Sequence, residues 1–420
     1  MRILILSDTE SSHGGAISTT RLAHGLLAVG AEVHRTYAYA QNKRTPWVSH
    51  PLLSHLSASG EAITSLIKLL PERPQNQLLQ NLSIRKLKKL IAKTQPDVVN
   101  IHTTFTTGWD MGILEAIPAH LPQAWTLHDM WSFTGACTYA FYCNKFTAGC
   151  DAACATEKLC PGVHKHVPPA EIGPIFQRKL QFLKDRPHLT CITPSVWMQK
   201  EALRGAWRDH QVIHIPYGLN LNTFRPVDRA SARESLGIKA QGPVLLLPAT
   251  NLGEERKGAR FALGALKQMS DKKITLLTMG HEPPKLDLPG VTIQHMGFIS
   301  SEVLQSILYS AADLMLHPAT EDNLPNTVLE AMACGTPVVG FHIGGMPDMV
   351  TDGVTGWLNP NVSVEGFTEC LQRALTALSS GTDLRAACRS KTEKEYPLAL
   401  QGERYVTLFK QLMQKQGSTR

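Results

Sequence analysis

The chain has 420 residues, 43% of them apolar, and a formal charge of +7. Domains usually run about 50–250 residues, so this length calls for two, with apolar material enough for two cores. The charge is spread rather than blocked, no aromatic ladder accompanies it, and no apolar run reaches the ~18 residues of a membrane span, which sets aside a nucleic-acid partner and a membrane-spanning protein.

The start, Met1-Arg2-Ile3-Leu4-Ile5-Leu6-Ser7-Asp8, meets an acid at once. It reads as a first buried strand over residues 2–7, not a signal peptide, and points to a cytoplasmic protein. A helix is predicted over 17–29, stopped by Gly30, and a second strand over 31–37. Residues 40–80, with Pro, Ser and Gln and little periodicity, read as an irregular insertion or a helical excursion. A helix near 82–94 carries the densest basic run, Arg85-Lys86-Leu87-Lys88-Lys89. It fits either a solvated surface helix or one resting on an anionic membrane face. Strands follow at 96–102 and 123–127. The Cys-rich stretch 137–160 is irregular, and the sheet resumes at 190–195.

Ile215-Pro216-Tyr217-Gly218-Leu219-Asn220 is the linker candidate, a bend after an apolar strand. Beyond it, strands are predicted at 243–248, 273–279, 291–296, 313–317 and 337–341, with helices between. Residues 400–417 read as a terminal helix crossing back to the first half. The division is 1–218, 219–395 and 396–420. Alternating strands and helices of this kind make an α/β protein with parallel sheets and helices on both faces.

The chemistry sits where strands end. Gly14-Gly15 follow the first strand and Ser11-Ser12-His13, either as an ordinary tight turn or as a helix start that lets an anion approach closely. There is no G-x-G-x-x-G fingerprint and no Walker loop. His128-Asp129 follow the strand 123–127; His128 is either a hydrogen-bonding group for a reacting sugar or a structural histidine held by a carboxylate. Trp131 fits an acceptor pocket or the core equally, and His102 reads as a packed residue.

In the second half, Arg256-Lys257-Gly258 follow the apolar run 244–247, two cations and a glycine suited to a diphosphate. The alternative is a solvated charge cluster with Glu254 and Glu255. The densest signal is Asp322-Asn323-Leu324-Pro325-Asn326-Thr327-Val328-Leu329-Glu330, which sets acids, turn formers and a helix start after an apolar strand. Asp322 can accept from sugar hydroxyls, and Glu330, read at the opening of a helix, either from a ribose diol or from that helix's own N-terminus. Gly344-Gly345 supply a further turn on the same side.

Cys137, Cys143, Cys150, Cys154 and Cys160 lie close together, with His164 and His166 after them. Four of these thiolates could hold a structural zinc, though the spacing does not say which four. An iron–sulfur cluster and free or redox thiols are the alternatives. Cys191, Cys334, Cys370 and Cys388 read as small buried residues.

Together these residues resemble the retaining glycosyltransferases of family four, along nearly the whole chain and most strongly over 322–345. The resemblance implies a GT-B fold, two Rossmann-like domains facing a central cleft. The first would bind the acceptor and the second a nucleotide sugar. The family's Glu, seven residues, Glu pattern is met by Asp322 and Glu330, with Asp in the first place and Glu321 adjacent but one residue out of register. The family's Arg five residues before its phosphate Lys would fall at Leu252, so Arg256 stands in.

The segment from His128 to Cys137 is similar to a subgroup of colanic-acid and exopolysaccharide transferases. The resemblance implies sugar transfer with retained anomeric configuration, UDP-sugar favoured over GDP-sugar, and no metal at the reacting centre. The acceptor would be a glycan or a polyprenyl-diphosphate-linked oligosaccharide, with peripheral contact to the inner membrane. His128 would sit near the donor's C6 hydroxyl. Arg256, Lys257 and the backbone near Gly345 would take the phosphates, Asp322 with Asn323 and Leu324 the sugar, and Glu330 the ribose. Rival readings are a nucleotide-sugar epimerase or hydrolase on the same scaffold, and a non-catalytic polysaccharide-assembly scaffold.

Overall fold

Apolar runs bounded by turn residues become the strands of two parallel sheets. The structure, a computed structural model, describes the chain apart from residues 8, 10–13, 39–44, 47, 53–71, 106–108, 156–166, 241, 249–252, 270–271, 282, 284–287 and 418–420. Its contacts divide the chain into Met1–Gly218 with Leu398–Arg420, and Leu219–Pro397.

The first unit holds β1 (Arg2–Leu6), β2 (Glu32–Tyr37), β3 (Val48–Pro51), β4 (Val98–Ile101), β5 (Gln123–Thr126), β6 (Thr190–Thr193) and β7 (Val212–His214), in the order β3-β2-β1-β4-β5-β6-β7. The second holds β8 (Val244–Pro248), β9 (Ile274–Met279), β10 (Val291–His295), β11 (Leu314–His317), β12 (Val338–Phe341) and β13 (Gly356–Asn359), in the order β10-β9-β8-β11-β12-β13. In chain order the helices are α1 (Gly14–Ala28), α2 (Glu72–Thr94), α3 (Met111–Glu115), α4 (Pro169–Lys184), α5 (Val196–Arg204), α6 (Arg229–Ser235), α7 (Ala259–Gln268), α8 (Glu302–Ala311), α9 (Asn326–Ala333), α10 (Met346–Met349), α11 (Val364–Ser379), α12 (Arg385–Glu395) and α13 (Leu398–Gly417).

Ile3, Leu4, Ile5 and Leu6 are all fully buried, as a parallel strand covered on both faces must be. Their side chains alternate between two cores. Ile3 and Ile5 meet Leu22 and Leu26 of α1 and Tyr405 and Phe409 of α13. Leu4 and Leu6 share the other core with Leu87, Ile113 and Trp125. In both sheets the loops that follow the strands gather at one edge, where such folds place ligands.

The strand expected before the linker is β7, three half-buried residues. Two strands escape the sequence pattern: β3 is only Val-Ser-His-Pro, and β13 opens on a glycine that reads as part of a turn. Neither is a long apolar run, and each is held by pairing to a neighbouring strand of its sheet. α1 opens at Gly14, so the two glycines are its first turn rather than a lead into it. α2 starts at Glu72, well ahead of the expected 82.

In α2, Leu87, Leu90 and Ile91 are buried in the core, while Arg85, Lys88 and Lys89 stay exposed. The apolar side packs inside the protein and the basic side faces solvent. Among the described residues no helix is long and apolar enough to cross a membrane.

α13 belongs to the first unit. Its start lies backbone to backbone on α1: a Cβ on Gly25 would stand 2.5 Å from the Leu398 carbonyl oxygen, and one on Gly402 2.3 Å from the Gly25 carbonyl oxygen. Only glycine at both positions permits that approach.

Candidate functional site

In the second unit, three loops at adjacent strand ends converge on Asp322. Arg256 and Lys257 follow β8 in a single 3-10 turn, Glu255–Lys257. His317 ends β11 and Asp322 lies five residues on, while Gly344 and Gly345 follow β12. Lys257 Nζ is 2.8 Å from Asp322 Oδ2, and an Arg256 nitrogen 3.4 Å from the same oxygen. Arg256 also donates to the Glu321 carbonyl at 2.9 Å and pairs with Glu254 at 2.9 Å.

The charge balance follows from these distances. Burial alone would raise the Asp322 carboxyl, but Lys257 and Arg256 outweigh it and hold it well below the usual carboxylate range. Burial pushes His317 down to about 4, against the pull of Asp322 and with Lys257 and Arg256 adding to the fall. His317 Nε2 has no hydrogen-bond partner among the described residues and stands 3.9 Å from Asp322 Oδ2. The result is two half-buried cations, one neutral imidazole and one buried carboxylate at a sheet edge. Glu254 and Glu255, on the outer side of the cations, are exposed, whereas Asp322 is 6% exposed.

One expectation changes here. Glu330 does not open its helix: α9 begins at Asn326, and Glu330 sits well inside it, buried, accepting from the Tyr309 hydroxyl at 2.8 Å. Helix-start stabilisation is thus not its role. Within the backbone near Gly345 that was expected to meet phosphate, the Gly345 N–H itself donates to the Asp322 carbonyl at 3.0 Å. Gly344 makes that possible: its φ is +51, and a Cβ there would fall 2.0 Å from the same carbonyl oxygen. Asn323 and Leu324 are buried, and the Asn323 N–H donates to Asp322 Oδ1 at 3.0 Å. Residue 252, where the family's Arg would stand, lies outside the described residues.

The first unit has its own polar cluster at the ends of β4 and β5. His102 and His128 stack with ring centroids 5.1 Å apart, and His102 Nδ1 is 2.8 Å from His128 Nε2. His128 Nδ1 meets the Tyr217 hydroxyl at 2.7 Å, and His102 Nε2 meets Asn100 Oδ1 at 2.8 Å. Gly15 presses on this pair, since a Cβ there would be 3.1 Å from His128 Cγ. Beside the pair is a small hollow whose lining includes Thr103, Phe105, Asp129 and Ser132. His102 is the packed residue expected, 1% exposed with both ring nitrogens hydrogen-bonded, and it is also a central member of the cluster. The two histidines meet because the strands they follow, β4 and β5, are neighbours. Trp131 is core: it stacks on Phe105 and carries Lys179 Nζ 3.6 Å from its ring centroid.

Among the described residues the cysteines show no arrangement that supports the expected zinc site. Cys137, Cys143, Cys150 and Cys154 are close enough to act on one another electrostatically. Burial, with the neighbouring thiols adding to it, pushes Cys137 up to about 12. Burial also takes Cys150 up to about 12. Cys150 and Cys154 pack in the apolar core. Among the described residues no group of three or more His, Cys, Asp or Glu is arranged to hold a metal. Cys160, His164 and His166 lie outside the described residues.

Next to these thiols is a side chain the sequence did not single out. Lys179 is buried and donates to the carbonyls of Trp131 at 2.6 Å, Thr134 at 2.9 Å and Gly135 at 3.4 Å. Burial pushes its ammonium down to about 7, against the pull of Asp129 and the thiols.

Comparison with known proteins agrees with this layout. The family described as Glycosyltransferase Family 4 matches residues 12–222, and that described as Glycosyl transferases group 1 matches 243–377. Among curated relatives, a D-inositol 3-phosphate glycosyltransferase of Mycobacterium leprae is 30% identical over 185 residues, 41% of this chain and 42% of that one. That of Kribbella flavida is 29% identical over 183 residues, 39% of this chain and 42% of that one. The matches span about two fifths of these relatives' length.

Solved structures cover more. Sucrose-phosphate synthase of Thermosynechococcus elongatus has a TM-score of 0.72 at 18% identity over 99% of this chain and 100% of that one. Anabaena HepE, solved with UDP and glucose, has a TM-score of 0.66 at 15% identity over 98% of this chain and 99% of that one. At such identities the likeness speaks for the GT-B fold. With one family description matching half of the chain and a second matching the strands and helices around Asp322, this protein belongs to glycosyltransferase family 4.

Proposed function

We propose that the protein is a retaining glycosyltransferase that moves a sugar from a nucleoside-diphosphate sugar, UDP-sugar before GDP-sugar, to a glycan or lipid-linked acceptor in surface-polysaccharide synthesis. The observation that carries the reading is the meeting of Arg256 and Lys257 at Asp322, on a sheet edge with Glu330 in the next helix. Lys257 Nζ has three protons, and Asp322 takes one of them; the side chain keeps 35% exposure, so it can also meet a diphosphate. Arg256 adds a second cation. Glu330 accepts from Tyr309 with one oxygen and has further acceptor capacity for ribose hydroxyls.

In this reading the bond between the sugar's anomeric carbon and the diphosphate oxygen breaks as charge gathers on the leaving group, where Lys257 and Arg256 stabilise it. The acceptor oxygen attacks from the same face, and its proton passes to the departing diphosphate. Asp322 and the Asn323-Leu324 backbone orient the sugar, while His128 hydrogen-bonds one of its hydroxyls. The curated relatives' name supports transfer to a small phosphorylated acceptor, and the complexes of HepE with UDP and UDP-glucose support uridine. The protein would work in the cytoplasm or against the inner face of the membrane.

The test offers purified protein UDP-, GDP- and ADP-sugars with D-inositol 3-phosphate, oligosaccharide or polyprenyl-diphosphate-linked glycan acceptors. Products are read by mass and by anomeric proton couplings. Acceptor-dependent product with the donor's anomeric configuration is expected. Donor consumption without an acceptor product would make the protein an epimerase or hydrolase, and donor binding without turnover would make it a scaffold.

A further inference from the structure

The proton positions in the first unit's histidine cluster are forced by its neighbours. Asn100 Nδ2 lies 3.2 Å from the Ala124 carbonyl oxygen, which can only accept, so the amide is oriented with its oxygen toward His102. His102 Nε2, 2.8 Å from that oxygen, therefore carries a proton. His102 is 1% exposed, and burial, with His128 and Arg35 nearby, holds its pKa well below the ordinary value, so the ring is neutral. Its Nδ1 must then accept. Thr19 Oγ1 is 3.1 Å from that nitrogen but spends its proton on the Gly15 carbonyl at 2.8 Å. The donor to His102 Nδ1 is thus His128 Nε2–H, at 2.8 Å. Burial keeps the Tyr217 phenol protonated, and its O–H faces His128 Nδ1 at 2.7 Å.

We propose that His102 is a positioning residue for His128: it takes the Nε2 proton, fixes the ring as the Nε2–H tautomer and leaves Nδ1 as the edge that accepts a hydroxyl. In the resting protein that hydroxyl belongs to Tyr217. The inference rests on the reading of His128 as a sugar-binding group, and adds that the sugar reaches it as a hydrogen-bond donor at Nδ1, in place of or alongside Tyr217. His128 is half-buried while His102 is closed off, so only His128 offers an edge to a ligand. A histidine free to change tautomer presents acceptor and donor edges in turn; one held by His102 presents the acceptor every time.

Two measurements test this together. Imidazole nitrogen NMR of the ¹⁵N-histidine-labelled full chain at neutral pH should show His128 Nε2 protonated and Nδ1 unprotonated, assigned with His128→Gln. In His102→Leu the His128 signals should move toward a tautomer mixture, and kcat should fall at least tenfold with a smaller change in donor KM. His102→Gln, whose amide oxygen can still accept from Nε2–H, should restore most of both. A His128 protonated at Nδ1 in the unaltered protein overturns the proposal, even if His102→Leu does not fold. An unchanged spectrum or an unchanged kcat in a folded His102→Leu overturns it as well. If the spectra are as expected and no donor sugar is ever turned over, the positioning stands and the transferase reading fails.

Discussion

Lys257 reaches over the sheet edge to Asp322, with 2.8 Å between Nζ and Oδ2, while keeping about a third of its side chain in solvent. It therefore has two duties, neutralising a buried carboxylate and facing the ligand. Removing one partner of a buried pair costs about 3–5 kcal/mol. Here Arg256 remains beside Asp322 and Lys257 is partly hydrated, so Lys257→Ala should cost roughly 1–3 kcal/mol in urea unfolding. Transfer should fall at least a hundredfold. The double change Lys257→Met with Asp322→Leu should recover stability but not transfer. Recovery of transfer would remove the phosphate role.

Glu330→Gln keeps a hydrogen-bonding oxygen for the Tyr309 hydroxyl but loses the charge. Donor KM should rise tenfold or more, with folding changed by under about 1 kcal/mol, the scale of a neutral hydrogen bond. Steady-state kinetics and urea unfolding on one preparation check both. An unaltered KM would leave Glu330 a structural acceptor for Tyr309 and nothing more.

His317 gives donor binding a pH signature. Its folded pKa is about 4 against 6.5 unfolded, so between those values the unfolded chain holds a proton that the folded chain does not. Its contribution to stability therefore falls as pH drops through that window. A bound diphosphate diester beside Lys257 and Arg256 opposes the fields that help keep His317 neutral, and keeps its own charge throughout. Binding near pH 5 should then take up protons, and affinity should rise as pH falls from 7 to 5. Calorimetry in two buffers of different ionisation enthalpy reads the uptake, and His317→Phe should abolish it. Equal heats in both buffers for the unaltered protein count against the assignment.

Lys179 acts on stability in alkali. Its folded pKa of about 7 lies below the unfolded 10.5, so from pH 7 upward the unfolded state binds the extra proton and stability rises. The rise is cleanest between pH 7 and 9, before the raised pKa values of Cys137 and Cys150 begin to act in the opposite sense. At most about 1.4 kcal/mol per pH unit is expected. Lys179→Met should flatten this slope while losing the carbonyl contacts. Chemical unfolding at pH 7, 8 and 9 decides it; a persistent slope in Lys179→Met would assign the effect to another group.

Gly15→Ala tests the contact between the start of α1 and His128. The new methyl would lie 3.1 Å from His128 Cγ and 3.2 Å from Thr103 Oγ1, so the ring must give by a few tenths of an ångström. Displacements on that scale erode catalytic geometry before they erode folding. Transfer should drop about tenfold with the melting temperature within a few degrees, and equal activity would show the ring is not held by this packing.

How much was readable in the chain depends on what each residue depends on. Long apolar runs such as 2–6 and 244–247 carry their own period and burial, so the parallel strands were legible. β3 and β13 were not, because what makes them strands is a neighbour distant in sequence. Arg256, Lys257 and Asp322 could each be named from residue type and place after a strand. That the two cations share Asp322 could not, because the sequence separation of 65 from Lys257 to Asp322 is closed only by strand order. The Glu330 error had a local cause: the helix was taken to open near Glu330, whereas it already runs from Asn326, directly after Pro325. The crowding of Cys137, Cys143, Cys150 and Cys154 in sequence survives in space, with Cys150 and Cys154 in the apolar core, but no metal-holding arrangement forms among the described residues.

The return of the last helix to lie on α1 has a bearing on how the protein is made. Residues 1–218 emerge from the ribosome first, yet the face of their sheet that carries Ile3 and Ile5 takes Tyr405 and Phe409 as part of its cover. Leu219–Pro397 can finish folding as an uninterrupted stretch while the earlier part still waits. The order of synthesis and the order of completion are thus reversed, and during translation the nascent first sheet carries an uncovered greasy strip for chaperones to shield.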